Sequence, residues 1–336
     1  MIEPLRLLQL AALCCACAQA ASIEQVAAGA KLVEPFGVAF DRSGALYICE
    51  YKGEKITRLD SSGTASRLAG TGAASYSGDD GPANQAALRD PHGLVIAPGD
   101  VMYIADTLNH RIRRVDLKTG VIATIAGTGE AGFSGDGGPA TKATFNGVFG
   151  IALGPAGDKL YVADLSNRRI RMIALKTGIV TSIAGNGTDA VPSDGAAAAE
   201  SPLQDPRAVT VDSQGNVYIL ERRGNALRVL DQKGKIRTLI KPGSITPNMN
   251  GPKHLCVDLR DNVIIADAEN HLVRKYSPRD GSTVVIAGTG QKGDHVEPAD
   301  PLKTQLNRPH GVFVDKSGDL YITDSYNHRI LKMRNW

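Results

Sequence analysis

One phrase recurs six times along the chain, and that recurrence limits the available folds more than any other feature. It starts at Pro35-Phe36-Gly37-Val38, Pro91-His92-Gly93-Leu94, Val148-Phe149-Gly150-Ile151, Pro206-Arg207-Ala208-Val209, Pro252-Lys253-His254-Leu255 and Pro309-His310-Gly311-Val312. An acid follows each start after fifteen or sixteen residues: Glu50, Asp106, Asp164, Glu221, Asp267 and Asp324. Short apolar runs such as Leu46-Tyr47-Ile48-Cys49 lead into these acids, bounded by Gly, Asp and Asn, which marks strands rather than helices. Each unit therefore reads as a small antiparallel sheet. One such sheet cannot bury both its faces, so the units must stack.

The starts lie 56, 57, 58, 46 and 57 residues apart. That spacing holds four short strands and a variable connection, and predicts an all-β, six-bladed β-propeller over residues 21–336. In the second unit the strands are expected at 94–96, 102–105, 112–116 and 121–126. The sixth unit runs out after its third strand, Arg329-Ile330-Leu331-Lys332-Met333. Its fourth strand is expected from Ile23-Glu24-Gln25-Val26-Ala27-Ala28-Gly29, which resembles the fourth strand Val121-Ile122-Ala123-Thr124-Ile125-Ala126-Gly127. Closure of this kind removes an unpaired edge.

A formal net charge of +3 gives no reason to expect a nucleic-acid or anionic-membrane partner. The basic runs His110-Arg111-Ile112-Arg113-Arg114 and Arg168-Arg169-Ile170-Arg171 are expected on a solvated blade surface. Residues 1–20 differ from the rest: Arg6, an apolar run over 7–18, and the small-x-small site Ala18-Gln19-Ala20 read as a secretory signal. The run is shorter than the roughly 20 residues a spanning helix needs, so no transmembrane segment is expected. The protein is expected to be secreted or periplasmic and monomeric. Cys14, Cys15 and Cys17 would leave with the signal; Cys49 and Cys256 belong to units that are not neighbours, so no disulfide is expected.

The turns after the acids read Asp106-x-x-Asn109-His110, Asp164-x-x-Asn167-Arg168, Asp267-x-x-Asn270-His271-Leu272 and Asp324-x-x-Asn327-His328. This pattern resembles the NHL repeat family, with departures at Glu50-Tyr51-Lys52-Gly53 and Glu221-Arg222-Arg223-Gly224. The resemblance covers residues 22–336, implies a six-bladed propeller, and leaves activity open. The connecting phrases Tyr76-Ser77-Gly78-Asp79-Asp80-Gly81 and Phe133-Ser134-Gly135-Asp136-Gly137-Gly138 look like those of secreted bacterial NHL proteins and of the teneurin propeller.

Residues that recur with the repeat serve the repeat. The six acids and the histidines His110, His271 and His328 are therefore expected to hold turns, the carboxylates accepting turn backbone N–H groups. The position before each innermost strand varies instead: Phe36, His92, Phe149, Arg207, Lys253 and His310. These six are expected to converge at one mouth of the axial channel as a binding site. Arg207 and Lys253 come from neighbouring units, which points to a small anionic ligand or an acidic side chain of a partner protein. The alternative is a metal-dependent lyase or hydrolase. Peptidylglycine amidating lyases resemble this fold and hold zinc with three histidines near the axis; lactonase-type propellers hold calcium with acidic and amide groups. Here two histidines sit beside two cations that oppose a dication, so no metal ligand, catalytic residue or cofactor is assigned. The long connections containing Asp79, Asp136, Asp194 and Asp294 are expected to wall a cup above the mouth, their acids capping short helical stretches.

Overall fold

The computed structural model describes residues 20–336 as six antiparallel sheets arranged in a ring. The expected signal lies almost wholly outside the described residues, as do Cys14, Cys15 and Cys17. Each blade has four strands, and the second carries an extra two-residue strand, Gly81–Pro82, on its outer edge. Blade two runs Leu94–Ala97, Val101–Asp106, Arg111–Asp116 and Val121–Ala126, each bound within one residue of the sequence reading. Ser22–Val26 pairs antiparallel with Arg329–Arg334, with Ile23 opposite Met333, and so completes blade six. Apolar side chains fill the wedges between blades: Met102, Ile104 and Val115 of blade two, for example, pack with Tyr47, Cys49 and Ile56 of blade one. Cys49 and Cys256 are free thiols. Among the described residues no helix is long and apolar enough to cross a membrane.

The glycine of the recurrent phrase has a packing cause. A Cβ at Gly93 would sit 2.8 Å from the Phe149 carbonyl oxygen on the next innermost strand, and one at Gly150 would sit 2.6 Å from Ala208 Cα. Only a residue without a side chain lets the inner strands approach so closely around the axis.

All six acids are fully buried. They are structural, but their donors differ from those expected. Each accepts an N–H from the end of the preceding connection rather than from its own turn: Val33 to Glu50, Arg89 to Asp106, Asn146 to Asp164, Gln204 to Glu221, Asn250 to Asp267 and Asn307 to Asp324, all at 2.7–2.8 Å. The turn asparagines add side-chain donors, Asn109 and Asn167 at 2.9 Å to both carboxylate oxygens. In five blades a third-strand arginine then neutralises the carboxylate, as in Arg113 with Asp106 at 3.3 Å and Arg274 with Asp267 at 2.7 Å, while Glu50 meets Lys55 at 3.5 Å. Arg113 and Arg171 are thus buried, which corrects the expectation that the two basic runs are wholly solvated. Strand alternation explains it: every second residue of a third strand points into the wedge.

Asp79 and Asp136 close the other side of these arginines, at 2.8 Å to Arg113 and 2.7 Å to Arg171. They cap no helix; the short 3₁₀ turns Ala83–Gln85 and Ala140–Lys142 have no side-chain cap. Stretches of three of these connections lie against outer strands. Their backbone bonds go outward to the outer strands of the following blade, from Asp80 to Ile122, Gly137 to Val180 and Gly195 to Ile236.

The turn histidines clasp one blade to the next. His110, His271 and His328 adopt the left-handed conformation, and each Nδ1 accepts a backbone N–H of the following blade, from Gly147, Arg308 and Glu34 at 3.0–3.1 Å. Asn225 does the same for Gly251, and Glu54 for Asp90. At the junction of blades three and four the slot holds Arg168, which has no acceptor to offer and pairs with Asp189 instead.

Candidate functional site

The side chains at the entries of the six innermost strands come together around the axis. Phe36 lies 4.7 Å from His92 and 5.4 Å from His310 between ring centroids, His92 lies 4.6 Å from Phe149, and the Arg207 guanidinium stacks 3.7 Å over Phe149. One half of this axial cluster, Phe36, His92 and Phe149, is aromatic. The other half, Arg207, Lys253 and His310, carries the nitrogen bases. Together they close one mouth of the channel. Beneath them a cavity of about 280 Å³ follows the axis, lined by residues of all six innermost strands, including Phe40, Ile96 and Phe313. His254, one residue past Lys253, also faces this cavity, 6.2 Å from Phe36.

Around the mouth stands a rim drawn from the turns and from the residues just before each inner strand. Lys52 pairs with Asp90 at 2.9 Å, Arg222 with Asp205 at 2.7 Å, and Arg308 with Glu269 and, at 2.9 Å, with Tyr326 Oη. Tyr51 Oη donates to Glu34. These rim residues were not singled out in the sequence. The available signal was the one used for the cluster itself, since the slots before Pro35, Pro91, Pro206 and Pro309 also change from blade to blade.

Against this paired rim Arg207 stands apart. It is 6% exposed, its Nε is sealed from solvent without a hydrogen-bond partner, and among the described residues no acid lies within ion-pair distance. Burial and the neighbouring Arg222 charge push it down to about 9, so it remains a cation at neutral pH. His310 beside it is 5% exposed, and neither ring nitrogen has a partner. Burial, reinforced by Lys253 and Arg207, holds its imidazole well below the ordinary range. Lys253 is pushed down to about 8 by burial and then by Arg207 and Arg222. His92 is anchored instead, its Nδ1 lying 2.7 Å from the Asp90 carbonyl and 3.1 Å from Thr107 Oγ1. Among the described residues no three His, Cys, Asp or Glu side chains converge as a metal-ligand set.

The neutral imidazoles give the fold a pH dependence. Burial holds His92 and His310 well below the ordinary value and His254 at about 4. The unfolded chain takes up these protons near pH 6.5 while the folded chain refuses them, so their stabilisation is complete above pH 6.5 and is lost as pH falls toward the folded values. The buried acids run the other way, with Asp106 and Asp164 raised by burial to about 6, but they return less than the histidines lose. Moving from pH 8 to pH 6 is expected to cost about 2 kcal/mol net, read from guanidinium unfolding midpoints. A triple variant, His92→Gln with His254→Gln and His310→Gln, should lose most of that slope; an equally steep variant would place the titration elsewhere.

Comparison with known proteins bears on the fold. The teneurin NHL domain family matches residues 7–116 and the NHL repeat family matches residues 306–333. NHL repeat-containing protein 2 of Gallus gallus is 24% identical over 290 residues, covering 75% of this chain and 40% of that protein. The chain spans 25–40% of the length of its first curated relatives. Among solved structures, an auxiliary nutrient binding protein from Bacteroides thetaiotaomicron is 16% identical with a TM-score of 0.65, over 90% of this chain and 69% of that one. The virginiamycin B lyase of Staphylococcus aureus is also 16% identical, with a TM-score of 0.54 over 90% and 81%. One fold thus serves a binding protein and a lyase, so the likeness fixes architecture alone. Repeat pattern, blade topology and these matches agree: the chain carries NHL repeats and folds as a six-bladed β-propeller.

Proposed function

We propose that this propeller is a binding module whose axial mouth takes up a small anion or an acidic side chain of a partner protein. The observation that carries the reading is the buried guanidinium of Arg207 with no acceptor. A charge withdrawn from water costs several kcal/mol unless it is paired, and arginine does not escape that cost by losing its proton. A carboxylate meeting the fork of Arg207 supplies the missing acceptors, with Lys253 adding charge. The apolar run over 7–18 followed by Ala18-Gln19-Ala20 supports placing this activity outside the cytoplasm.

The test is thermal unfolding in chloride-free buffer with formate or acetate added. Binding at a hundredfold excess over Kd adds about 2.7 kcal/mol to stability, and the added stability should shrink as an inert salt raises ionic strength. Arg207→Glu with Lys253→Glu should abolish the response, and Arg207→Met should weaken it in a folded ring. A response undiminished in both variants would move the site away from the mouth.

A further inference from the structure

We infer that Lys253 is a carbonyl-capturing amine, forming a reversible imine with a small oxo acid whose carboxylate is held by Arg207. The inference rests on the anion reading above and adds chemistry to it. Lys253 occupies the same slot as Arg207 and His310 on three consecutive blades, so the three side chains share one arc of the mouth. Its side chain is 12% exposed, and its charged partner among the described residues, Glu269 Oε1, lies 3.8 Å away and is already engaged by Arg308. The rim cations Lys52, Arg222 and Arg308 each have an acid in close contact, whereas Lys253 has a shared and distant one. The groups facing it are Arg207, Arg222, Arg308, His310 and Glu269.

Cations crowded around a half-buried ammonium favour its neutral amine, which is how lysines become nucleophiles toward carbonyl carbons. Burial and these arginines bring Lys253 to about 8, well below a solvated lysine. The amine lone pair attacks the carbonyl carbon and the carbonyl oxygen takes up a proton. The nitrogen loses one proton to give the neutral carbinolamine; the hydroxyl then takes up a second proton and leaves as water as the nitrogen lone pair forms the carbon–nitrogen double bond, and loss of the remaining N–H proton gives the imine. Neither an oxidant nor a cofactor enters this balance. His310, with both ring nitrogens unengaged, is the group placed to pass the proton. Arg207 sets the orientation, because a bidentate carboxylate aims the adjacent carbonyl in one direction. The aromatic half of the cluster fills the axis with ring centroids 4.6 and 4.7 Å apart, which restricts the partner to short oxo acids such as glyoxylate or pyruvate.

The experiment is incubation of the full chain with glyoxylate and cyanoborohydride, which reduces an imine to a stable carboxymethyl amine, followed by peptide mass analysis. We expect one dominant adduct, on Lys253, with a labelling rate that reaches half its plateau near pH 8. Lys253→Met should lose that adduct and keep its fold, and Arg207→Met should cut labelling at least tenfold at low glyoxylate. Propionaldehyde, which lacks the carboxylate, should not favour Lys253. Adducts scattered evenly over surface lysines, or labelling of Lys253 indifferent to the carboxylate, would overturn the inference. A parent stabilised by formate but unlabelled at Lys253 would sink the imine alone; a parent neither stabilised nor labelled would sink the anion reading too.

Discussion

Deleting residues 22–28 will convert a cooperatively melting ring into an aggregating chain. Ser22–Val26 supplies five register pairs to Arg329–Arg334, and Ile23 also donates its N–H to the Pro298 carbonyl at 2.9 Å. The Ile23 side chain is 1% exposed and packs with Leu320, Ile322, Leu331 and Met333. Loss of that side chain alone costs about 2–5 kcal/mol, a large part of the stability of an ordinary domain. Removal of the whole strand also bares the edge Arg329–Arg334, a ready template for pairing between copies. Calorimetry should find a broad or absent transition, and light scattering should find large species. A truncated chain that melts sharply as a monomer would mean that the ring holds without this strand.

Arg113→Met will destabilise the fold by about 3–5 kcal/mol, because it strands two carboxylates that now share one guanidinium. Arg113 is sealed from solvent between Asp106 at 3.3 Å and Asp79 at 2.8 Å, and also donates to the Ser77 and Ala87 carbonyls. The double variant Asp106→Asn with Arg113→Met should recover part of the loss, since the uncompensated charge is gone while Asn keeps an acceptor for the Arg89 N–H. Urea unfolding of the parent, the two single variants and the double variant measures the coupling. If the single and double variants lose equal stability, the pair is not the unit that holds the turn.

The blades, their strand limits and the closing strand were legible because period and alternation are properties of the sequence itself. The axial cluster was legible for a related reason: Phe36, His92, Phe149, Arg207, Lys253 and His310 vary at a slot where the surrounding phrase does not. What escaped reading was partnership across blades and connections. Arg113 and Arg171 read as surface charge because the acids that bury them, Asp79 and Asp136, are more than thirty residues away in sequence. The donors to the six acids lie seventeen or eighteen residues upstream, outside any local turn pattern. The outward path of the long connections depends on outer-strand carbonyls such as those of Ile122 and Val180, which no side-chain pattern reports.

Arg168 leaves one junction to be held by packing rather than by a clasp. Five junctions carry a side-chain acceptor clasped on the next blade, and the sixth, between blades three and four, carries a cation that cannot accept. The same junction is grooved from both ends, by a cleft of about 670 Å³ beside Tyr161 and Leu230 and another of about 260 Å³ beside Arg168 and Asp205. The inner strands make up for it: Pro206–Val211 lies against both Val148–Leu153 and Lys159–Asp164 of the blade before it. The stack of Arg207 on Phe149 bridges this very boundary. The residue proposed to take up the anion therefore also ties two blades together, so recognition and cohesion of the ring draw on the same side chain.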